Sequence, residues 1–318
     1  MARELDYRLL QQRSAAERAD FGVNPLVICD NLVKIYKIAD LEVVALQGLD
    51  LVVNEGEFIA IVGTSGSGKS TLLNILGGLD TPSAGGVTVA GYDLLKMGAQ
   101  DRTRYRRQVI GFVWQQTARN LVPYLTALEN VEMPMTLDGI SARRRRSRAI
   151  ELLEQVGLSN RLDHKPGQLS GGEQQRVAIA TAAANAPRVI FADEPTGELD
   201  STTSEEILGA LRKVNEENAV TIVVVTHDPL VVGHVNRTVG IRDGRTSSEV
   251  LRRTEVSPGG EHQVVAEEFA VLDRVGRLQL PTEYVDALDL ERRVRLTLDP
   301  DHINVWSDKP NEEAHDES

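Results

Sequence analysis

The fold is decided by the stretch Leu169-Ser170-Gly171-Gly172-Glu173-Gln174-Gln175, because of the segments that precede and follow it. A glycine-rich loop lies upstream, Gly63-Thr64-Ser65-Gly66-Ser67-Gly68-Lys69-Ser70-Thr71, and downstream lies an apolar run that ends in two acids, Val189-Ile190-Phe191-Ala192-Asp193-Glu194. The upstream loop alone predicts only that a nucleotide binds. The order of the three segments is more specific, since a second glycine-rich segment then stands between that loop and the paired carboxylates.

The upstream loop fits the pattern G-x-x-x-x-G-K-[ST] at residues 63–70, after an apolar strand and before a predicted helix. Its glycines let backbone N–H groups approach phosphate, and the start of the helix adds the positive end of its dipole. We therefore expect Lys69 to reach the β and γ phosphates and the Ser70 hydroxyl to bind Mg²⁺. The nucleotide-binding residues predicted from this loop are Gly63, Ser65, Gly66, Gly68, Lys69, Ser70 and Thr71.

Together the three segments resemble those of the ATP-binding cassette (ABC) ATPases, and the resemblance covers roughly residues 26–245. It implies an α/β fold, a P-loop NTPase of the ABC type, with a parallel-sheet core, an antiparallel β subdomain and a helical subdomain over about residues 117–169. The alternation of strand and helix signals after residue 189 also predicts a parallel sheet. In this family two chains sandwich each ATP, so the expected ligands are ATP and Mg²⁺ and the expected assembly is a homodimer.

The resemblance also implies roles around the γ phosphate. Asp193 ends its strand beside the loop, where its carboxylate would hold Mg²⁺ through water, and Glu194 would polarise the attacking water. Gln115, rather than the adjacent Gln116, would reach Mg²⁺ and the same water, and His227 would contact the γ phosphate. The predicted catalytic residues are Glu194, His227, Gln115 and Lys69, and the predicted metal ligands are Ser70, Gln115 and Asp193.

The second glycine-rich segment is expected to bind the ATP that the opposite subunit holds. Exposed N–H groups at the start of a helix attract an anion, and by resemblance Ser170, Gly171 and Gly172 contact the γ phosphate. Asp200 closes a segment, residues 195–200, that resembles the dimer-contact loop of the family. Tyr36 matches the aromatic residue that stacks on adenine, and the alternative is a strand tyrosine that packs on its own sheet.

The composition restricts the remaining possibilities. The net charge of −12 argues against nucleic acid as the main partner, and the single cysteine, Cys29, excludes an intrachain disulfide and is expected to be a small buried residue. The apolar stretches are of strand length, so no membrane span is predicted. We expect a cytoplasmic protein, peripheral on the inner face of the cell membrane, whose partner supplies the membrane part. The basic run at residues 143–146 is interpreted as a solvated helix face.

Two stretches, residues 72–80 and 120–131, look like those of the ATPases for lipoprotein release, macrolide export and cell division. That subgroup works with a permease of few transmembrane spans, which would dock on the helical segment after Gln115. The main alternative is a soluble ABC ATPase that acts on ribosomes or DNA, or as a regulatory switch without a permease. One cassette without sustained heptads favours the transporter.

The sequence predicts five segments, and the helical subdomain is part of the second. They are a polar N-terminal extension (1–24), an ABC ATPase domain (25–245), a linker (246–261), a small ββαββ domain (262–307) and an acidic disordered tail (308–318). The pattern Asp-x-x-Gly-Arg-x-x-x-Pro at residues 273–281 resembles the AbrB-type swapped-hairpin domain. Such a unit is small for an independent core, which favours dimerisation over DNA binding or a plain structural cap.

Overall fold

Strands and helices alternate through the middle of the chain. The fold is described from a computed structural model, which covers residues 24–38, 41–197, 199–256, 262–273, 276–290 and 294–307. The chain divides into two units, residues 1–268 and 269–318. The predicted N-terminal extension, except Asn24, and the predicted acidic tail lie outside the described residues.

The elements are named in chain order. The strands are β1 (Pro25–Ile38), β2 (Leu41–Asn54), β3 (Phe58–Val62), β4 (Ala84–Val89), β5 (Tyr92–Asp93), β6 (Ile110–Val113), β7 (Val189–Asp193), β8 (Thr221–Thr226), β9 (Arg237–Arg242), β10 (Arg245–Val256), β11 (His262–Ala270), β12 (Val294–Leu298) and β13 (Ile303–Ser307). The α-helices are α1 (Lys69–Leu76), α2 (Ala99–Arg104), α3 (Ala127–Leu137), α4 (Ala142–Gln155), α5 (Gly171–Ala183), α6 (Ser201–Asn218), α7 (Pro229–His234) and α8 (Thr282–Ala287). Single turns of other helix types lie at Tyr105–Val109, Thr117–Arg119 and Pro166–Gln168.

A mixed sheet forms the centre of the first unit, in the order β11-β10-β9-β3-β8-β7-β6. Strands β9, β3, β8, β7 and β6 are parallel, and β10 is antiparallel to β9. A second, antiparallel sheet has the order β2-β1-β4-β5. The α/β architecture predicted from the sequence is therefore present, with its parallel core and its antiparallel subdomain.

The parallel sheet is buried on both faces. All six residues of its strand β8 are buried. Ile222 and Val224 face a core that includes side chains of α3, α4, α5 and α6. Val223 and Val225 face the opposite core, which includes α1 and the antiparallel sheet. Side chains of a strand alternate between its faces, so a nearly continuous apolar run is what a doubly covered strand requires. Cys29 is buried in this second core, as expected.

The segment that links β6 to α5 is helical, with α3 and α4 as its longest elements. Thr126 and Glu129 form a capping box at the start of α3. The buried side chain of Asn130 donates to the carbonyl oxygens of Val122, Leu125 and Thr126, at 3.2, 3.2 and 2.9 Å. These bonds hold the irregular chain before α3 against that helix.

One prediction for the C-terminal part is wrong in the structure. Residues 246–256 were predicted to belong to a linker, but they form most of β10. The polar sequence suits this strand, because Arg237 of β9 pairs with Glu249 of β10 at 2.9 Å and residues 245–252 are half-buried. Residues 257–261 lie outside the described residues.

The second unit contains the predicted turn, short helix and hairpin, but one predicted strand is missing. Asp273 and Arg277 close the turn with backbone and side-chain hydrogen bonds, α8 follows, and β12 pairs with β13. Residues 277–280 were expected to be the second strand of the ββαββ order, and the structure gives them no strand. In the described part of this unit, only β12 and β13 form a ladder, so this extended segment has no strand beside it.

Candidate functional site

The carboxyl ends of four parallel strands meet at one edge of the sheet. Val62 at the end of β3 lies opposite Thr226 of β8, Asp193 of β7 lies opposite Val225, and Val113 of β6 lies opposite Ala192. The loops that leave these strands therefore start side by side. They carry the glycine-rich loop, Gln115, the paired acids and His227, all of which were predicted to share one site.

The glycine-rich loop has a backbone shape that only glycine accommodates. Gly66 and Gly68 have φ angles of 80° and 103°, in the left-handed region. A side chain at Gly68 would collide with the Ala45 carbonyl oxygen and with Leu46, and one at Gly63 would collide with the Ile241 carbonyl oxygen. The close packing beneath the loop and the start of α1 at Lys69 leave Ser65 and Ser70 exposed on its outer side.

Lys69 is a buried cation whose hydrogen-bond partners are neutral carbonyl oxygens. Its Nζ donates to the carbonyl oxygens of Gly63 at 2.7 Å and Thr64 at 3.0 Å, and the residue is only 6% exposed. A buried charge is favourable only when it is paired or well hydrogen-bonded. The ammonium group therefore favours an anion held by the same loop.

Asp193 lies beside the loop and is unfavourably placed for a negative charge. Burial and the neighbouring charge of Glu194 raise the pKa of Asp193, although a hydrogen bond from Ser70 and the charge of Lys69 act in the opposite direction. Its Oδ1 atom is buried and has no hydrogen-bond partner. A cation bound at this point would satisfy that oxygen and stabilise the ionised carboxylate.

The backbone turns sharply at Glu194, the residue after Asp193. Its φ angle is 46°, and its N–H donates to the Val225 carbonyl oxygen at 2.8 Å. Its Oε2 lies 2.8 Å from Nδ1 of the exposed His227. The adjacent loops are joined where the Thr196 hydroxyl donates to Asp228 at 3.1 Å. The predicted acid and histidine are thus in direct contact.

The side chain of Gln115 lies next to Gly197, close to the Glu194 carboxylate. A side-chain carbon built on Gly197 would lie 3.2 Å from Nε2 of Gln115 and 3.3 Å from Oε2 of Glu194. The preceding residue is held firmly, because the side chain of Asn120 hydrogen-bonds both the N–H and the carbonyl oxygen of Trp114 at 2.8 Å.

The second glycine-rich segment caps helix α5. Ser170 accepts a hydrogen bond from the Glu173 N–H at 3.2 Å, and the Glu173 carboxylate accepts from the Ser170 N–H at 2.8 Å. Ser170 and Gly171 are exposed, whereas Gly172 packs so closely on Thr203 that a side chain would collide. Within the described residues, no hydrogen bond or ion pair joins this segment to the loop at residues 63–71. The structure therefore does not bring these two predicted phosphate sites together in one chain.

Two other predicted residues have partners of their own. Asp200 is the N-cap of α6, where its carboxylate accepts from the Thr203 N–H at 3.0 Å and hydroxyl at 2.7 Å. These hydrogen bonds, that of the hydroxyl first, lower the pKa of Asp200. The hydroxyl of Tyr36 donates to Asp80 at 2.7 Å. Glu198, in the predicted dimer-contact loop, lies outside the described residues.

Sequence reasoning missed Gly197 and Asp80 as site residues. Gly197 lies inside a segment that was interpreted only as a dimer contact, and its lack of a side chain is what lets Gln115 and Glu194 approach each other. Asp80 follows the Gly77-Gly78 end of α1 and ends the stretch 72–80, which was interpreted only as a subgroup resemblance. Its contact with Tyr36 joins residues 44 positions apart, which spacing alone could not indicate.

Comparisons with known proteins agree with this geometry. The family model described as "ABC transporter" matches residues 46–197. An uncharacterized ABC transporter ATP-binding protein of Thermotoga maritima is 54% identical over 212 residues, which are 67% of this chain and 89% of the relative. The macrolide export ATP-binding/permease protein MacB of Syntrophobacter fumaroxidans is 48% identical over 221 residues, 69% of this chain but only 31% of that protein.

A solved structure is similar over the same region. It is the dimeric post-hydrolysis state of the ATP-binding cassette MJ0796 bound to ADP and phosphate, with a TM-score of 0.64 and 47% identity, covering 70% of this chain and 97% of that one. The predicted fold class and family are confirmed by these matches. The chain therefore belongs to the ABC transporter ATP-binding proteins, the ATPase cassettes whose glycine-rich loop and paired acids it carries at one edge of its sheet.

Proposed function

We propose that two copies of this chain enclose two ATP molecules and that their closure and hydrolysis drive a membrane partner. One observation carries the proposal. The loop with Lys69, the paired acids and His227 lie at one sheet edge, while Ser170 and Gly171 are exposed at a helix start without contact to that loop. A helix N-terminus that is free of its own nucleotide site is suited to an anion held by another copy.

The roles in hydrolysis follow from the contacts. Glu194 is the general base, because its carboxylate is free on one side to take a proton from water while His227 holds Oε2 on the other. Gln115 orients the same water, since its amide nitrogen and the Glu194 carboxylate both lie beside the same point next to Gly197. Lys69 neutralises charge on the β and γ phosphates, and the half-buried Tyr36 ring stacks on the base.

The residues present fit Mg²⁺. Oxygen ligands from hydroxyl, amide and carboxylate groups suit this ion, and the buried Oδ1 of Asp193 without a partner is the observation that favours it. The described residues contain no cluster of three His, Cys, Asp or Glu side chains that could hold a metal alone, so phosphate oxygens complete the ligand set. Ser70, Gln115 and Asp193 would hold the ion, which supplies charge neutralisation between the phosphates.

The membrane partner is a permease of few spans. None of the helices among the described residues is long and apolar enough to cross a bilayer. The similar MacB proteins are named ATP-binding/permease proteins, and the part of them that resembles this chain is about a third of their length. Tyr124, just before α3, and Leu137, the last residue of α3, are 73% and 68% exposed and offer an apolar surface for a cytoplasmic helix of the permease. A cassette that docks on such a permease would lie at the inner face of the membrane.

The C-terminal unit is a self-association module. No described residue from 269 to 307 is buried, and a two-stranded hairpin is marginal by itself. The cross-strand pairs Leu296–Val305 and Leu298–Ile303 lie on one face of that hairpin, and Leu296, Leu298 and Ile303 are more than 60% exposed. A second copy of the chain is the partner that covers this face, because the cassettes already meet as pairs.

The assigned base is tested with Glu194→Gln. The amide keeps the size of the side chain but cannot accept a proton, so the turnover rate should fall by about 10²–10⁴-fold while ATP affinity changes by less than about threefold. ATP with Mg²⁺ should then hold the protein as a closed dimer in size-exclusion chromatography with light scattering. Glu205→Gln, on the exposed side of α6, is the control. Turnover by Glu194→Gln near the wild-type rate would show that another group is the base.

The energetic cost of the Asp193 charge is tested by measuring the melting temperature as a function of pH. Its pKa is raised in the folded state, so the ionised carboxylate weakens folding at pH values above the unfolded pKa, and this cost disappears as pH falls. Without nucleotide and Mg²⁺, Asp193→Asn should melt at a higher temperature than wild type at pH 7, and the difference should narrow towards pH 4.5.

Asp93→Asn is the matched control for this series, because a hydrogen bond from Lys96 lowers the pKa of Asp93 and the substitution should not raise the melting temperature. Mg²⁺-dependent hydrolysis by Asp193→Asn should fall on the order of 100-fold. A lower melting temperature for Asp193→Asn at pH 7 would contradict the proposed electrostatic cost.

Self-association is tested by removing residues 271–318, which leaves β11 whole. In sedimentation equilibrium without nucleotide, the dimer dissociation constant should rise at least about tenfold, because apolar area is lost, while ATP binding stays within about twofold. Leu296→Glu should act in the same direction. Thr297→Glu, on the opposite face of the hairpin, should not, and equal dissociation constants for all variants would remove this role.

The partner is tested by capture of tagged Glu194→Gln protein from its native cells, in detergent with ATP and Mg²⁺. Mass spectrometry should identify a membrane protein with few spans that is absent when ATP is left out. Enrichment of ribosomal or DNA-bound proteins instead would favour a soluble switch.

A further inference from the structure

We propose that Asp80 is a positioning residue for the nucleotide base, which holds the Tyr36 ring in one orientation and ties it to helix α1. The inference rests on the proposed function, in which Tyr36 stacks on the base. It adds a residue, Asp80, whose carboxylate acts through the tyrosine and touches no part of the nucleotide.

Three donors converge on the Asp80 carboxylate. The Tyr36 hydroxyl donates to Oδ2 at 2.7 Å, and Lys34 Nζ donates to Oδ1 at 2.6 Å. The Thr81 N–H donates to Oδ1 at 2.7 Å. Lys34 is only 11% exposed and also donates to the Thr81 carbonyl oxygen at 2.8 Å. The carboxylate therefore fixes both side chains of β1, and charge-assisted hydrogen bonds of this kind are the strong ones.

The same arrangement leaves one face of the tyrosine ring for a ligand. Lys34 Nζ lies 4.6 Å from the centroid of the Tyr36 ring, within the range of a cation–π contact. The ammonium group covers that face, and the hydrogen bond to Asp80 fixes the position of the hydroxyl end of the ring. A flat base can stack only on the opposite face.

Asp80 also connects the ring to the phosphate loop. The N–H groups of Leu79 and Asp80 both donate to the Asn74 carbonyl oxygen, at 2.9 and 3.1 Å, which holds this turn against α1. Lys69 starts that helix. The surface that stacks on the base and the loop that holds the phosphates are therefore joined through one short helix.

Charge favours this arrangement at neutral pH. Burial acts to raise the pKa of Asp80, but the hydrogen bonds from Lys34, Tyr36 and Thr81 outweigh it and leave the pKa below its usual value. Burial and the hydrogen bond to Asp80 raise the pKa of Tyr36. The carboxylate stays ionised and the phenol keeps its proton, so the donor and acceptor roles do not change near pH 7. A ring already held in its bound orientation loses less freedom when the base arrives.

The test uses Asp80→Asn, whose amide has one oxygen acceptor and cannot serve both Tyr36 and Lys34. Binding is measured in Glu194→Gln protein, so that ATP is not consumed. The dissociation constant for ATP should rise about three- to tenfold, while that for inorganic tripolyphosphate, which has no base, should stay unchanged. In otherwise unchanged protein, the KM for ATP should rise by a similar factor with kcat within about twofold.

Tyr36→Ala and the double variant separate a failure of the stacking role from a failure of the positioning role, and Asp93→Asn is a control. Tyr36→Ala should weaken ATP binding at least as much as Asp80→Asn, and the double variant should bind ATP no more weakly than Tyr36→Ala, because Asp80 acts only through the ring. Asp93→Asn removes a carboxylate that also pairs with a lysine, Lys96, and should leave ATP binding unchanged.

An unchanged ATP affinity in Tyr36→Ala would contradict the stacking role in the proposed function, and the inference would fail with it. If Tyr36→Ala weakens ATP binding but Asp80→Asn does not, the stacking role stands and the positioning role is wrong. Equal weakening of ATP and tripolyphosphate by Asp80→Asn would also overturn the positioning role, because it would mean that the phosphate loop itself had moved.

Discussion

The structure depends on one electrostatic constraint, the charge of Lys69 buried within a loop of backbone amides. Its ammonium group is held by the carbonyl oxygens of Gly63 and Thr64, which do not neutralise it. The loop that creates this position needs glycine at residues 66 and 68 and a helix that starts at residue 69. Beside it, Asp193 carries a buried oxygen without a partner. A metal–polyphosphate complex would give the Lys69 ammonium group an anion to bind and the Asp193 oxygen a cation, so the site suits that class of ligand.

The parallel sheet converts this local constraint into a catalytic arrangement. Because β3, β6, β7 and β8 end at the same edge, four loops that are distant in sequence deliver the phosphate loop, Gln115, Glu194 and His227 to one place. The second glycine-rich segment lies at the start of a separate helix, α5, where Ser170 and Gly171 are exposed. In a two-fold pair of identical chains, the Ser170 segment of each copy can face the sheet-edge site of the other, so both phosphate-binding parts can contact one ATP. Asp80 extends the arrangement to the base, because it links the Tyr36 ring to the helix that begins at Lys69.

The sequence was sufficient to predict those parts of the fold and site that depend on a local pattern of residues. It was insufficient for the parts that depend on contacts between distant residues. The loop at 63–71 and the acids at 193–194 were predictable because phosphate binding requires defined residues at fixed spacing, and the buried runs of β7 and β8 predicted the parallel sheet. The role of Gly197 depends on the distance between Gln115 and Glu194, and that of Asp80 on a contact with Tyr36, so neither has a sequence signal. Residues 246–256 were misassigned as linker because composition cannot reveal that Glu249 pairs with the buried Arg237. The missing strand at 277–280 has a different cause, since strand assignment requires a neighbour and the described part of that unit supplies none.

The central claim, that each ATP is shared between two chains, is tested most directly by mixing two inactive proteins. Lys69→Ala removes the phosphate-loop cation, and Gly171→Asp puts a negative charge at the start of α5, where a side-chain carbon meets only Leu199 at an ordinary 3.5 Å and should not disturb folding. A mixed dimer contains one site built from two intact halves, so single-turnover hydrolysis should appear in the mixture at up to about a quarter of the wild-type amplitude, although neither variant is active alone. Gly171→Ala, which adds no charge, is the control and should remain active. A mixture no more active than its two components would contradict the shared site.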